Sequence, residues 1–326
     1  MPSPDKTSQP RSVFFGSPQF AVPSLERLVA ETRVCAIVTQ PDRPAGRGQT
    51  LAEPPVKAAA HRLTPGVPVL QPEKIRTGEF ESALRRLDAD LFVVVAYGRI
   101  LPSSILDLPR LGPWNVHASV LPRLRGAAPI QWAVINGDSR AGVSIMRMEA
   151  GLDTGPVAAV ATIDVRDDDT AASLATGLSV LGADLLAATL PRIADGSVLV
   201  VPQDDTQATL APILKKEDGH LDFRQPARVV SARARGVDPW PGATALLNDQ
   251  PVKLFGPRAL PDDEAVGGAV GHVAPGTIVR IDGMGMQVAC GAGAILFTEL
   301  QLPGRKRLSA AAAAAGRAIA VGQRLA

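Results

Sequence analysis

The sequence predicts an α/β protein in two parts, an open, mostly parallel sheet followed by a small barrel of antiparallel strands. Three observations carry this. Strand-like and helix-like patterns alternate through the first half of the chain. The run Leu91-Phe92-Val93-Val94-Val95 is apolar at every position, as in a strand covered on both faces. Beyond residue 215, short strand-like pieces are separated by turn signals. The first part is therefore Rossmann-like in class, and the second OB-like.

In order, strands are expected over 13–15, 33–39, 67–70, 91–95, 114–118 and 143–148. Helices are expected over 23–30, 56–63, 79–87 and 129–135. Asp168-Asp169-Thr170 supplies an acidic, capping start for a helix running to about residue 190. Later strands are expected over 252–255, 277–281, 286–289 and 295–298. The turns Asn248-Asp249, Gly267-Gly268, Pro275-Gly276, Asp282-Gly283 and Gly291-Ala292-Gly293 lie among them. Residues 309–315 read as a short helix behind a capping serine. The expected organisation is a disordered tail (1–10), a first domain (11–194), a linker (195–214) and a second domain (215–326).

Composition narrows the class. With 326 residues, 46% hydrophobic and 20% charged, the chain is long enough for about two cored domains. The net charge of +2 is uneven: 14 Lys and Arg against 10 Asp and Glu from residue 210 onward, 20 against 22 before it. The C-terminal excess points towards an anionic partner or an ordinary solvated surface. Cys35 and Cys290 sit in apolar runs without a CxxC partner, as small core residues do. No apolar run is expected to reach the ~18 residues of a membrane span. The polar, proline-rich start lacks a signal-peptide core, so a cytoplasmic protein is expected.

The chemistry centres on Asn115 and His117, with Asp153 in Gly151-Leu152-Asp153-Thr154-Gly155. Residues i and i+2 of a strand face the same side. An amide can donate to an oxygen that becomes negative, and a histidine can move protons near neutral pH. A carboxylate can orient the imidazole. No serine or cysteine is placed as a nucleophile, so an amine would attack an acyl group directly. Each residue also has a plainer reading: His117 satisfying a carbonyl, Asp153 capping a turn. The four histidines, at 61, 117, 220 and 272, give no metal-ligand spacing, and no metal is expected.

Asn115-Val116-His117-Ala118-Ser119-Val120-Leu121-Pro122, with Arg125-Gly126 and Pro129-Ile130, resembles the signature of the 10-formyltetrahydrofolate-dependent formyltransferases. The resemblance implies that Asn115, His117 and Asp153 are catalytic and that 10-formyltetrahydrofolate is the formyl donor. It also implies that Ser119, Val120, Leu121 and Pro122 help to bind the folate, with Gly98 and Ile100 flanking the pterin. Within the family, Phe14-Phe15-Gly16-Ser17-Pro18, Gln40-Pro41-Asp42-Arg43-Pro44 and Ala96-Tyr97-Gly98-Arg99 look like members that act on initiator methionyl-tRNA. So do Ala211-Pro212-Ile213-Leu214-Lys215-Lys216 and Asp238-Pro239-Trp240-Pro241-Gly242. The match is collinear from Val13 onward. Ala118, Val120 and Leu210 depart from it, and none of these removes a reacting group.

Residues 40–50, with Arg43 and Arg47, read as a mobile basic surface loop without helix or strand potential. By resemblance this loop enters the tRNA acceptor stem, and arginine forks suit phosphates and base edges. Lys215 and Lys216, with Arg233, Arg235, Lys253, Arg258 and 305–307, are expected to track the tRNA backbone. The expected partners are the tRNA and the folate, for a monomer without membrane contact. Three rivals remain distinguishable. A formyltransferase acting on a small amine such as an amino-sugar nucleotide would keep the triad without needing the 40–50 loop. A nicotinamide-dependent dehydrogenase would carry GxGxxG, which Gly16-Ser17-Pro18-Gln19-Phe20 is not. A non-catalytic RNA-binding protein on this fold would have lost the triad.

Overall fold

The computed structural model describes residues 9–45, 50–260 and 273–326. Residues 1–8 of the expected tail, Arg47, His272 and the Gly267-Gly268 turn lie outside them. The chain forms two compact units. One comprises Met1–Pro129, Ala141–Ile163 and Ala175–Ala211; the other comprises Ile130–Arg140, Asp164–Leu174 and Pro212–Ala326.

The first unit is built on a seven-stranded sheet. Its strands are β1 (Arg11–Gly16), β2 (Arg33–Val38), β5 (Val69–Leu70), β6 (Leu91–Val95), β7 (Pro113–His117), β8 (Arg140–Arg147) and β9 (Val157–Asp164). A separate hairpin joins β3 (Arg43–Ala45) to β4 (Thr50–Ala52). The sheet order is β5-β2-β1-β6-β7-β8-β9. Pairing is parallel from β5 through β7, and β8 runs antiparallel to β7. Every residue of β6 is buried, as its unbroken apolar run requires. The helices are α1 (Val22–Glu31), α2 (Pro55–Leu63), α3 (Gly78–Arg86), α4 (Ser103–Leu106) and, from Ala175 onward, α6 (Ala171–Ala194); α5 (Pro129–Ile135) belongs to the second unit from Ile130 onward. Thr77 starts α3 by accepting a hydrogen bond from the Phe80 amide. The order reverses between β1 and β6, and the loops after these strands form the crevice where open α/β sheets take ligands.

Helix α6 sets the position of β7. A Cβ at Gly182 would lie 2.9 Å from Val116 Cγ1 and 3.2 Å from a Val143 methyl, so α6 presses directly on β7 and β8. Val116 faces α6, and alternation therefore turns Asn115 and His117 to the other side. By length and composition α6 could cross a bilayer, contrary to the expectation that no run is long enough. Its Leu178, Leu186, Leu190 and Ile193 are buried, which accounts for the apolar sequence as core packing.

In the second unit, α7 (Ala227–Gly236) packs on a six-stranded antiparallel sheet. The strands are β10 (Thr244–Leu247), β11 (Gln250–Leu260), β12 (Ile278–Asp282), β13 (Gly285–Ala289), β14 (Ala294–Gln301) and β15 (Leu308–Ser309). Helix α8 (Ala310–Ala315) begins at Ser309, whose Oγ accepts from the Ala312 amide, as the sequence predicts. The sheet order β10-β11-β14-β13-β12 leaves β10 and β12 as edges. The chain's last residues bridge them: Leu246 and Ala326 exchange two backbone hydrogen bonds, Leu325 donates to the Gly276 carbonyl, and Ile278 donates to the Gln323 carbonyl. Among the described residues, these bonds close the sheet at the Leu246 and Ile278 ends of its edge strands.

Three sequence expectations change. Residues 43–45 and 50–52 pair as a hairpin, where a loop without strand potential was expected. Strand β9 and helix α4 were not anticipated: β9 is an edge strand only partly buried, and α4 is a single turn. Strands β11 and β14 run longer than their apolar cores suggest.

Gly182→Leu should destabilise the protein by about 1–3 kcal/mol through overpacking against Val116 and Val143. Urea unfolding measures this, and an unchanged midpoint would contradict the close approach of α6.

Candidate active site

Asn115 and His117 stand at the carboxyl end of β7, and Asp153 stands in the loop between β8 and β9. The structure brings them together around one carboxylate. Asp153 Oδ1 lies 3.4 Å from Asn115 Nδ2 and 3.6 Å from His117 Nδ1. Asp153 Oδ2 accepts a hydrogen bond from the Gly126 amide at 2.9 Å. His117 is 5% exposed and Asn115 half-buried, so the group sits at the mouth of the sheet rather than on open surface.

The imidazole is oriented from its far side. His117 Nε2 lies 3.1 Å from the Leu124 carbonyl, which can only accept. In the neutral ring the proton is assigned to Nε2, which makes the shorter contact; Nδ1, 3.6 Å from Asp153 Oδ1, is beyond hydrogen-bond distance and keeps its lone pair. Leu124 itself has φ +59°, and its amide donates to Thr209 Oγ1 at 2.9 Å. Gly126 has φ +124°, and a Cβ there would collide with the Ala211 carbonyl, so this turn needs glycine.

The loop over 118–126 is tied to the sheet by serines. Ser144 Oγ donates to the Ser119 carbonyl at 2.7 Å and accepts from the Leu121 amide at 3.1 Å. Ser119 is buried and its hydroxyl donates to the Arg123 carbonyl at 2.6 Å. Among the residues expected to hold folate, Ser119 and Leu121 thus shape the loop, while Val120 is 37% and Ile100 71% exposed. Gly98 is exposed at φ +80°, beside Ala96 at φ +47°. These leave backbone groups and uncovered apolar side chains at the strand ends, the surface that a flat heteroaromatic ring would cover.

Arg43 is exposed on β3 and lines a cleft of about 440 Å³ with Gln40, Pro41, Pro54 and Gly98. The arginine expected at tRNA and a glycine expected at folate therefore share one cleft. The three proposed reacting residues do not line it. A larger depression of about 620 Å³, bordered by Asp107, Arg110, Arg147 and Glu149, does not include them either.

A polar network anchors the hairpin carrying Arg43. Ser17 Oγ accepts from the Gln40 amide, Gln40 Nε2 donates to the Tyr97 carbonyl, and Arg99 donates to Gln40 Oε1. Lys57 donates to Asp42 at 2.6 Å, and Gln71 donates to its other oxygen at 2.7 Å. The Lys57 hydrogen bond, then that of Gln71, holds the Asp42 carboxyl below its ordinary value of 3.8.

Lys215 and Lys216 are exposed beside a 3-10 turn. Other expected tRNA contacts are engaged within their own unit. Arg235 is half-buried, donates to the Asp169 carbonyl at 2.7 Å, and is pushed below its ordinary pKa by burial. Arg233 lies 5.6 Å from the Trp132 ring centre. Arg307 pairs with Glu299 and covers Phe255 at 4.0 Å. Arg235 is thus held against its own unit rather than standing free on the surface. Cys290 is buried, and desolvation pushes its thiol up to about 12; Cys35 is only partly buried. Among the described residues, no three His, Cys, Asp or Glu side chains group as metal ligands.

Two site residues were not visible in the sequence. Gln203 lies in the segment expected to be a linker, yet its amide donates to the carbonyls of Asp153 at 2.8 Å and Gly155 at 2.6 Å. Arg125 was noted only as part of a signature. Its nearly buried guanidinium donates to Gln203 Oε1 at 3.0 and 2.8 Å and to Asp205 at 2.7 Å. Polar composition marked 195–214 as a connector and gave no sign of these long-range bonds.

Residues 11–190 match the family described as formyl transferase, and residues 213–318 match the formyl transferase C-terminal domain. The methionyl-tRNA formyltransferase of Pelobacter propionicus is 46% identical over 311 residues, covering 95% of this chain and 94% of that protein. That of Geobacter sulfurreducens is 46% identical over 316 residues, covering 97% and 96%. Among solved structures, the Helicobacter canadensis N-formyltransferase in complex with folinic acid and dTDP-3-aminofucose aligns with TM-score 0.64 at 15% identity. It covers 89% of this chain and 98% of that one. HypX from Aquifex aeolicus with tetrahydrofolic acid aligns with TM-score 0.60 at 17% identity, covering 94% of this chain and 46% of that longer one. These two likenesses bear on the fold alone.

Because the Asp42 pKa is lowered on folding, its contribution is complete above 3.8 and is lost as pH falls through the lower folded value. Protection factors of the β3–β4 amides, corrected for the intrinsic pH dependence of exchange, should therefore fall under acid in the native protein. Asp42→Ala should exchange fast at neutral pH as well; equal protection in both proteins would contradict the anchoring role.

Proposed function

The chain belongs to the methionyl-tRNA formyltransferases, and on that premise we propose that Asn115, His117 and Asp153 carry out the transfer. The reaction moves the formyl group of 10-formyltetrahydrofolate to the α-amino group of methionyl initiator tRNA. The observation that carries the site assignment is the convergence of Asn115 and His117 on one Asp153 oxygen.

The roles follow from the geometry. As the amine attacks the formyl carbon, the carbonyl oxygen gains negative charge, and the Asn115 amide is the donor placed to stabilise it. The attacking nitrogen must lose a proton. His117 Nδ1 carries the free lone pair and takes it, while Nε2–H stays on Leu124. The Asp153 carboxylate beside Nδ1 stabilises the charge that then forms on the ring. The same proton returns to N10 as the C–N bond breaks. Asn115 and His117 are 3.4–3.6 Å from Asp153 Oδ1, loose distances of a kind that tighten when substrates fill a site.

Val120, Ile100, Gly98 and the 119–122 backbone are the groups proposed to meet the folate. Arg43, Lys215 and Lys216 are proposed to meet tRNA, with Arg43 supported by its exposed place on an anchored hairpin. The same role for Arg47 lies outside the described residues. A small-amine formyltransferase would give no use to this hairpin. Initiator tRNA as substrate places the activity where translation starts, in the cytoplasm.

Asn115→Ala, His117→Ala and Asp153→Ala should each lower turnover by roughly 10²-fold or more with folding retained. In the same formylation assay, Arg43→Ala should raise KM for tRNA and leave that for the folate unchanged. Full turnover by His117→Ala would refute the assignment, and a parallel rise of both KM values would remove Arg43 from tRNA binding.

A further inference from the structure

We propose that Gln203 is a positioning residue for formyl transfer and that Arg125 holds it in place. The inference rests on the role given to Asp153 above. Asp153 has φ +54°, a left-handed conformation that aspartate tolerates in turns, and here its carbonyl is held as well. Gln203 supplies the hold. One amide nitrogen donates to the carbonyls of Asp153 and Gly155, on either side of Thr154, and so pins both ends of the turn that aims the carboxylate.

The chemistry of the side chain matters. Glutamine offers two N–H donors and an acceptor at one end. The donors face the two carbonyls, and the acceptor oxygen faces the Arg125 fork. The Arg125 side chain is 8% exposed, and its Nη2, which also donates to Gln203, donates to the exposed Asp205 from the solvent side. Arg125 also precedes Gly126, whose amide binds Asp153 Oδ2. The backbone and the carboxylate of Asp153 are thus both fixed from the Arg125-Gly126 step, one through Gln203 and one directly. Glutamate at 203 would keep the bond to Arg125 and set a second carboxylate oxygen against two carbonyls.

The test measures kcat and both KM values for the full-length wild-type protein, Asp153→Asn, Gln203→Glu and the double variant. Gln203→Glu should lower kcat by about tenfold or more, with each KM within about twofold. It should cost no further activity in the Asp153→Asn background, because residues acting as a unit are not additive. Equal losses in both backgrounds would overturn the proposal, as would a raised KM at unchanged kcat. Should Gln203→Glu fold poorly, Arg125→Lys keeps the charge, loses the fork, and should show the same dependence on Asp153. Full kcat in Asp153→Asn alone would instead sink the role of Asp153, and this inference with it.

Discussion

The site depends on how one carboxylate divides its two oxygens. Asp153 Oδ2 is held by the Gly126 amide, and Oδ1 is left facing both Asn115 and His117. A free carboxylate on a hairpin tip would rotate. Here the backbone of Asp153 is fixed by Gln203 and its side chain by Gly126, so Oδ1 stays with its two partners. The Leu124 carbonyl completes the arrangement by taking the other ring nitrogen of His117. Three chain segments remote in sequence, 115–126, 153–155 and 203, are needed for a group of three side chains.

The fold makes that convergence possible. Helix α6 approaches β7 and β8 at Gly182, and strand alternation then aims Asn115 and His117 away from it. Beyond the paired strands, side chains join the loops that follow them. Ser17, Gln40, Gln71 and Arg99 link the loops after β1, β2, β5 and β6, and the hairpin bearing Arg43 hangs from the Asp42–Lys57 pair. Two of the three proposed reacting groups sit on β7 and the third in a pinned loop, while the groups proposed to meet substrate sit on loops and a hairpin, where shape can differ without disturbing the sheet.

Most of the sheet was legible in the sequence because burial writes itself as apolar runs. β6 is an unbroken apolar stretch, and the ends of α2 and α5 fall within a residue of their expected positions. β9 was not legible because an edge strand rich in alanine carries little signal. The β3–β4 hairpin was hidden by Pro44 and by strands of three residues each; its order comes from Asp42, Lys57 and Gln71, distant along the chain. The proposed triad was recognisable from residue types and a collinear motif, whereas Gln203 was not, since a polar segment reads the same whether or not its side chains reach a site. Charge counting also gave no sign that Arg235 is half-buried and bonded to the Asp169 carbonyl, since composition does not record burial.

The proposed proton transfer turns on which nitrogen of His117 is free. Nitrogen-15 spectroscopy of the imidazole, at a pH where the ring is neutral, reads this directly. The structure predicts a protonated Nε2, donating to the Leu124 carbonyl, and an unprotonated Nδ1 facing Asp153. A ring protonated at Nδ1 with a bare Nε2 would contradict the assignment of the base and the role drawn from it for Asp153.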